Sequence, residues 1–180
     1  MGGQVWERCR QIAHDSDGAH FHPSAWPAFL AGRYRFFTGS VLFEFGHGLH
    51  FTRFSHAIST SASTLSAPAL VAELRRTSRA PHTAQPALRV VVRVRNVGAL
   101  ESSSRVLLFV RPPRGRGVPQ LQLRSFAALP TLRPGEEREV GFELDAHDFA
   151  VANEDGNMVA LAGEWRVSAG AAWSSVLVHD

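Results

Sequence analysis

From Phe54 onward, apolar and polar positions alternate in short runs. Leu88, Val90, Val92 and Val94 are interleaved with Arg89, Val91, Arg93 and Arg95, a period of two that gives one apolar and one mainly basic face. The arginine stems can lie along a sheet while their heads stay in water. Asn96-Val97-Gly98 supplies the turn residues that close this strand. Arg105 to Val110 is apolar on both faces after its first residue, which predicts a more central strand, and Pro112-Pro113 stops it. Leu132-Arg133-Pro134-Gly135 puts proline before glycine, the order a type II turn needs. Val140, Phe142 and Leu144 then alternate with Glu139, Gly141 and Glu143. Asp155-Gly156 predicts a turn before Met158 to Leu161, Gly163 precedes a strand at Trp165 to Ala169, and Val176 to Val178 reads as an edge strand. Short strands separated by turns at this spacing predict an all-β sandwich.

Two stretches break the alternation. Ser59 to Pro86 is rich in Ser, Ala, Thr and Pro and reads as an inserted mobile loop, with helical spacing only at Leu70 to Arg76. Met1 to Ala31 has little periodicity beyond a helical turn or two at Val5 to Ile12. His14 to Pro27 is polar with prolines at Pro23 and Pro27 and reads as loop. The expected organisation is an irregular, largely disordered extension over 1–31, a linker strap over 32–54 and a sandwich over 55–180. The last part is long enough to bury roughly two-thirds of its unfolded surface, sufficient for its own core.

The strap carries the most lopsided segment, FEFGHGLHFTRF from Phe43 to Phe54. Gly46 and Gly48 permit positive φ or close backbone approach. Phe43, Phe45, Leu49, Phe51 and Phe54 read as apolar anchors, with His47 held between the glycines. This is the signature of a docking linker rather than of an active site.

The same segment, preceded by Gly32 to Leu42, resembles the join near the C-terminus of family-3 glycoside hydrolases, the β-glucosidase and β-xylosidase group. There a Phe-Gly-Tyr/His-Gly-Leu-Ser-Tyr-Thr-x-Phe segment leads into a fibronectin type III-like domain. The matching residues are Phe45, Gly46, His47, Gly48, Leu49, Thr52 and Phe54, with His50 in place of the usual Ser and Phe51 in place of Tyr. The Arg33-Tyr34-Arg35-Phe36 run is most similar to the β-xylosidase branch. Downstream, Val92 to Gly98, Ser104 to Pro112, Gln122 to Phe126, Leu132 to Glu136 and Gly163 to Val167 resemble successive family motifs in the family's order. Ser125 replaces a glycine, Ala162 a proline and Trp165 a tyrosine. The resemblance implies a fibronectin type III-like sandwich whose parent chemistry is hydrolysis of β-linked xylose or glucose units. It also implies that the nucleophilic Asp and the acid/base residue lie upstream of the matched region. No position here corresponds to either, so the chain is expected to be inactive alone, a module that stabilises or positions catalytic domains.

Charge and composition narrow the alternatives. All 19 basic side chains of the Lys/Arg type are arginine and the net charge is +3. The calculated pI therefore exaggerates basicity, since arginine does not deprotonate, and neither nucleic acid nor membrane is expected as a partner. Cys9 is alone, so no intrachain disulfide forms. The family's enzymes are usually secreted, whereas the N-terminus has no apolar signal segment; the expectation is an incomplete product, extracellular by resemblance. Catalytic domains are the expected partners, in the same longer polypeptide or in trans.

Other candidate chemistry is thin. His20 and His22 with Asp15 and Asp17 could offer N and O ligands, but nothing completes a metal-binding pattern, and no metal or cofactor is expected. Asp145 with Asp148 and Glu154 with Asp155 lie on apparent loops, without the cleft that paired-carboxylate hydrolysis needs. No nucleophile elbow or phosphate loop occurs. His47 is expected to hydrogen-bond across a domain junction. Arg111 to Gly117 is a basic loop suited to phosphate or acidic polysaccharide, though a solvated loop is the plainer reading. Trp165 and Trp173 are candidate glycan contacts, set against the usual burial of tryptophan on strands. The alternative function is a stand-alone module that binds polysaccharide or protein.

Overall fold

The computed structural model describes residues 42–43, 45–115, 118–153 and 155–180. The expected extension over 1–31, the start of the strap, Cys9, the Asp15/Asp17/His20/His22 group, Arg116, Gly117 and Glu154 lie outside the described residues.

Among the described residues, ten strands and one α-helix follow in the order β1 (Phe54–Thr60), β2 (Thr64–Ser66), α1 (Ala67–Thr77), β3 (Pro86–Asn96), β4 (Ser102–Arg111), β5 (Gln122–Leu132), β6 (Glu137–Asp145), β7 (Val151–Ala152), β8 (Met158–Val159), β9 (Gly163–Ala169) and β10 (Ala172–His179). Short 3-10 turns span Pro81–Thr83 and Ala146–Phe149. One sheet has the order β1-β3-β6 and the other β2-β10-β9-β4-β5, with β7 and β8 a separate hairpin. The chain leaves the first sheet after β3, makes the β4–β5 hairpin in the second, and returns for β6. It then ends in the second sheet with β9 and β10. This is a two-layer sandwich of antiparallel strands, with one parallel pair where β2 joins β10.

The alternation in the sequence sets the layers. Leu88, Val90, Val92 and Val94 are fully enclosed, while Arg89, Arg93 and Arg95 face outward. They meet Val106, Leu108, Val110, Trp165, Val167, Val176 and Val178 from the second sheet in one core. Burying a Val- or Leu-sized side chain contributes about 1.5–3 kcal/mol, so this interdigitated layer dominates the stability. The β5–β6 connection is the type II turn expected: Gly135 has φ +82° and Glu136 N–H donates to the Arg133 carbonyl at 3.0 Å.

Two expectations fail. Ser59 to Pro86 is not a mobile loop. Ala67, Leu70, Leu74 and Thr77 fall on one stripe of α1 and are buried, and the first three belong to the main core. The Ser66 hydroxyl accepts from Ala69 N–H to cap the helix. The Glu73 carboxylate takes hydrogen bonds from Arg76 (2.6 and 2.8 Å) and from Gln85 N–H (2.8 Å). The Arg76 hydrogen bond, then that of Gln85, holds its pKa down at about 2. At the far end, Thr77 Oγ1 donates to the Glu73 carbonyl at 2.7 Å and lies 2.8 Å from His147 Nε2. With the hydroxyl proton committed, the imidazole is the donor. The second failure is β10, expected at an edge. Leu177–His179 pairs with β2 on one side, and the strand pairs with β9 on the other.

Candidate domain-docking site

The strap reaches the sandwich through glycine. Gly46 has φ +83°, and a Cβ placed there would lie 2.9 Å from Leu107 Cδ1 and 3.1 Å from Phe109 Cζ. The positive φ and the close approach to the Leu107 and Phe109 side chains of β4 both favour glycine. Phe45 then meets the Phe109 ring edge-on, with centroids 6.0 Å apart. Phe109 points away from the main core, on the opposite side of β4 from Val106, Leu108 and Val110, yet it is only 8 % exposed. Gly46 and Phe45 of the strap lie against it on that side.

A single buried side chain ties the strap down. Asn96 Oδ1 accepts from Thr52 Oγ1 at 2.9 Å and from Gly98 N–H at 3.0 Å. Its Nδ2 donates to the Leu100 and Leu132 carbonyls at 2.7 and 2.9 Å. Val97 N–H adds a bond to the Arg53 carbonyl at 2.8 Å. Gly98 is required here because a Cβ would fall 2.1 Å from Thr52 Oγ1 and 2.8 Å from Arg53 N. The Asn-Val-Gly triplet read as a turn is therefore also the anchor of the strap. Residues from both sheets and the linker converge on one amide.

Beyond these contacts the strap turns its apolar groups outward. Phe43 is 67 %, Phe45 49 %, Leu49 86 % and Phe51 94 % exposed. His47 is exposed and lies against Phe43, with ring centroids 5.2 Å apart. Phe54 behaves differently from the other anchors: it begins β1, is half-buried, and packs on the main core with His50 against its ring. Apolar exposure this concentrated makes the strap the candidate interaction surface.

The remaining candidates separate cleanly. Trp165 is a correction: it is fully buried, its ring edge meets Phe149 at 5.5 Å and its Nε1 donates to the Leu161 carbonyl at 2.8 Å. No glycan can reach it. Trp173 is 56 % exposed, with the Arg166 guanidinium 4.7 Å from its ring centroid. Asp145 and Asp148 cap the 3-10 turn: Asp148 accepts from Asp145 N–H at 2.9 Å and Asp145 from His147 N–H at 2.7 Å. Burial raises the Asp148 pKa against the pull of that backbone donor and of Arg124. The Asp155 backbone N–H bonds to Asn153 Oδ1 in a surface turn. These aspartates are parts of turns, not a facing pair across a cleft. Among the described residues no group of three or more His, Cys, Asp or Glu is placed to hold a metal ion.

Residues 105–173 match the model of the fibronectin type III-like domain family. By fold and by family model, this sandwich is a fibronectin type III-like domain. The chain is 30 % identical to the exo-1,4-β-xylosidase of Aspergillus awamori over 139 residues, which cover 75 % of this chain and 17 % of that enzyme. It superposes with TM-score 0.60 and 27 % identity on a β-glucosidase from Erythrobacter marinus, covering 83 % of this chain and 19 % of that one. A GH3 exo-β-xylosidase solved with a xylobiose aziridine probe shares the fold with TM-score 0.67 and 22 % identity, over 82 % of this chain and 20 % of that one. Sequence and fold together relate the chain to the C-terminal region of family-3 glycoside hydrolases, with its fibronectin type III-like domain. The chain spans about a fifth of the length of these relatives, between 17 and 20 %.

Proposed function

We propose that this chain is a non-catalytic positioning module of a glycoside hydrolase acting on β-xylosides or β-glucosides. The strap and the sheet face beneath it dock onto catalytic domains, supplied by a longer polypeptide or in trans. The observation that carries this reading is the geometry of Phe43 to Phe51. Gly46 and Asn96 fix the strap to the sandwich, yet Phe43, Leu49 and Phe51 are held facing solvent. An apolar set that is both anchored and uncovered fits a surface completed by another domain. Similarity to β-xylosidases and β-glucosidases supplies the substrate class.

The test is a chimera in which residues 42–180 replace the matching region of the Aspergillus awamori exo-1,4-β-xylosidase, compared with the same enzyme cut before that region. The chimera should hydrolyse an aryl β-xyloside and melt cooperatively where the shortened enzyme does neither. Placing Phe45→Ser and Phe51→Ser in the chimera should remove the gain. A chimera indistinguishable from the shortened enzyme contradicts the proposal. The exposed Trp173 supports a second reading, in which the module also binds polysaccharide.

A further inference from the structure

The outer face of the five-stranded sheet carries a second feature, away from the strap. Strand register sets Arg111 of β4 directly opposite Arg166 of β9. Both side chains are exposed and on the same side of the sheet, since Trp165 and Val167 flank Arg166 on the core side. Like charges directly opposite on neighbouring strands destabilise a sheet. Glu164, the one carboxylate bonded to either arginine among the described residues, lies 3.4 Å from Arg166 and also accepts a hydrogen bond from the Ser175 hydroxyl. Arg111 has no ion pair among the described residues. Net positive charge is therefore left over between β4 and β9.

Trp173 borders this pair. It faces Ser168 across β9–β10, and Ser168 faces Phe109 across β4–β9. The tryptophan thus stands two strands from the strap-covered ring, about 10 Å by sheet spacing. Arg166 stacks on it at 4.7 Å, which orders the guanidinium; its Nε is taken by Glu164 at 3.4 Å, and its terminal NH2 groups are left for a ligand. With more than half of the residue exposed, the indole still offers surface to a pyranose ring.

We infer that Trp173, Arg166 and Arg111 form a binding site for an acidic polysaccharide, the indole stacking on a sugar ring while the two guanidiniums take the carboxylate of a uronic acid unit. The aromatic beside the arginine pair decides for sugar over a plain polyanion, because phosphate or carboxylate alone needs no stacking surface. Arginine suits the carboxylate, whose two oxygens match its fork of donors. Arg114, in the exposed loop after β4, extends the positive charge. This site is distinct from the docking strap and does not depend on it.

The experiment is affinity electrophoresis of the whole chain through gels containing glucuronic-acid-substituted xylan, neutral arabinoxylan or polyglutamate. Retardation should be about tenfold stronger on the acidic xylan than on the neutral one, and should weaken with added salt. Trp173→Ala and the Arg111→Gln/Arg166→Gln pair should each abolish that preference, Trp173→Phe should retain part of it, and Phe51→Ser in the strap should leave it unchanged. Melting curves of each variant confirm that the exposed substitutions leave the fold intact. No retardation, equal retardation by both xylans, or indifference to Trp173→Ala overturns the site. Equal retardation by polyglutamate also overturns it and marks the arginine pair as a surface for an acidic protein segment.

Discussion

The two outer faces of this sandwich are built on opposite principles. On the three-stranded sheet, Arg89, Arg93 and Arg95 of β3 stand opposite Glu143, Glu139 and Glu137 of β6. Arg93 reaches Glu139 at 2.7 Å and Arg89 reaches Glu143 at 3.2 Å, in full view of solvent. Such a ladder satisfies itself and water, and discourages any flat apolar partner. On the five-stranded sheet the corresponding surface holds Leu107, Phe109 and Trp173, and a glycine-bearing strap is laid over part of it. One face is finished by its own charges. The other is finished only in part, by a segment that presents new apolar surface of its own. On the proposed reading the contrast gives the module a direction, with the arginine–glutamate face outward and the strap face toward the catalytic domains.

That contrast can be broken in graded steps. Phe109→Ala should cost the most, about 3 kcal/mol by urea unfolding if the strap buries the ring as a true core contact. A cost near that of an exposed residue would mean that the strap does not cover it. Asn96→Ala removes four side-chain hydrogen bonds and leaves the Leu132 carbonyl buried without that donor. A loss of about 2 kcal/mol is expected, together with faster hydrogen exchange at Val97 and Gly98. Gly46→Ala places a methyl group against Leu107 at a positive φ, and should cost about 1–2 kcal/mol while raising the solvent exposure of Phe109. Acidification supplies a control on neither face. Glu73 has a folded pKa of about 2 against an ordinary 4.5, so its contribution is complete above pH 4.5 and is lost as pH falls toward 2. Glu73→Gln should flatten the pH dependence of unfolding in that window. Smallest of all, Glu139→Gln on the charged ladder should leave the melting midpoint unchanged within error, because exposed ion pairs contribute little. A clear drop there would contradict the reading of that face as merely solvated.

The layers of the sandwich were legible because they rest on local alternation. Val90, Val92 and Val94 against Arg89, Arg93 and Arg95 already specify inside and outside, and Pro134-Gly135 already specifies its turn. Parity along the strand also sorts the tryptophans. Trp165 keeps step with buried Val167 and Ala169, whereas Trp173 is out of step with buried Val176 and Val178. Helix α1 was harder. Helical spacing showed at Leu70 to Arg76, but the Ser- and Ala-rich background around it mimics a linker until the core that receives Leu70 and Leu74 is known. Strand β2 is three residues long and exists only through a parallel partner more than a hundred residues away. Of the strap, the two glycines that take positive φ could be read directly. Asn96 as the clamp could not, because its partners Thr52, Leu100 and Leu132 come together only in the fold.

The most direct test of the account is side-chain oxidation footprinting of the isolated chain against the chimera carrying residues 42–180. The account predicts that Phe43, Phe45 and Phe51 oxidise readily in the isolated chain and are protected in the chimera, while residues of the arginine–glutamate ladder react alike in both. Protection of the ladder face, or a strap that reacts equally in the two proteins, would contradict the claim that the strap face is where the catalytic domains dock.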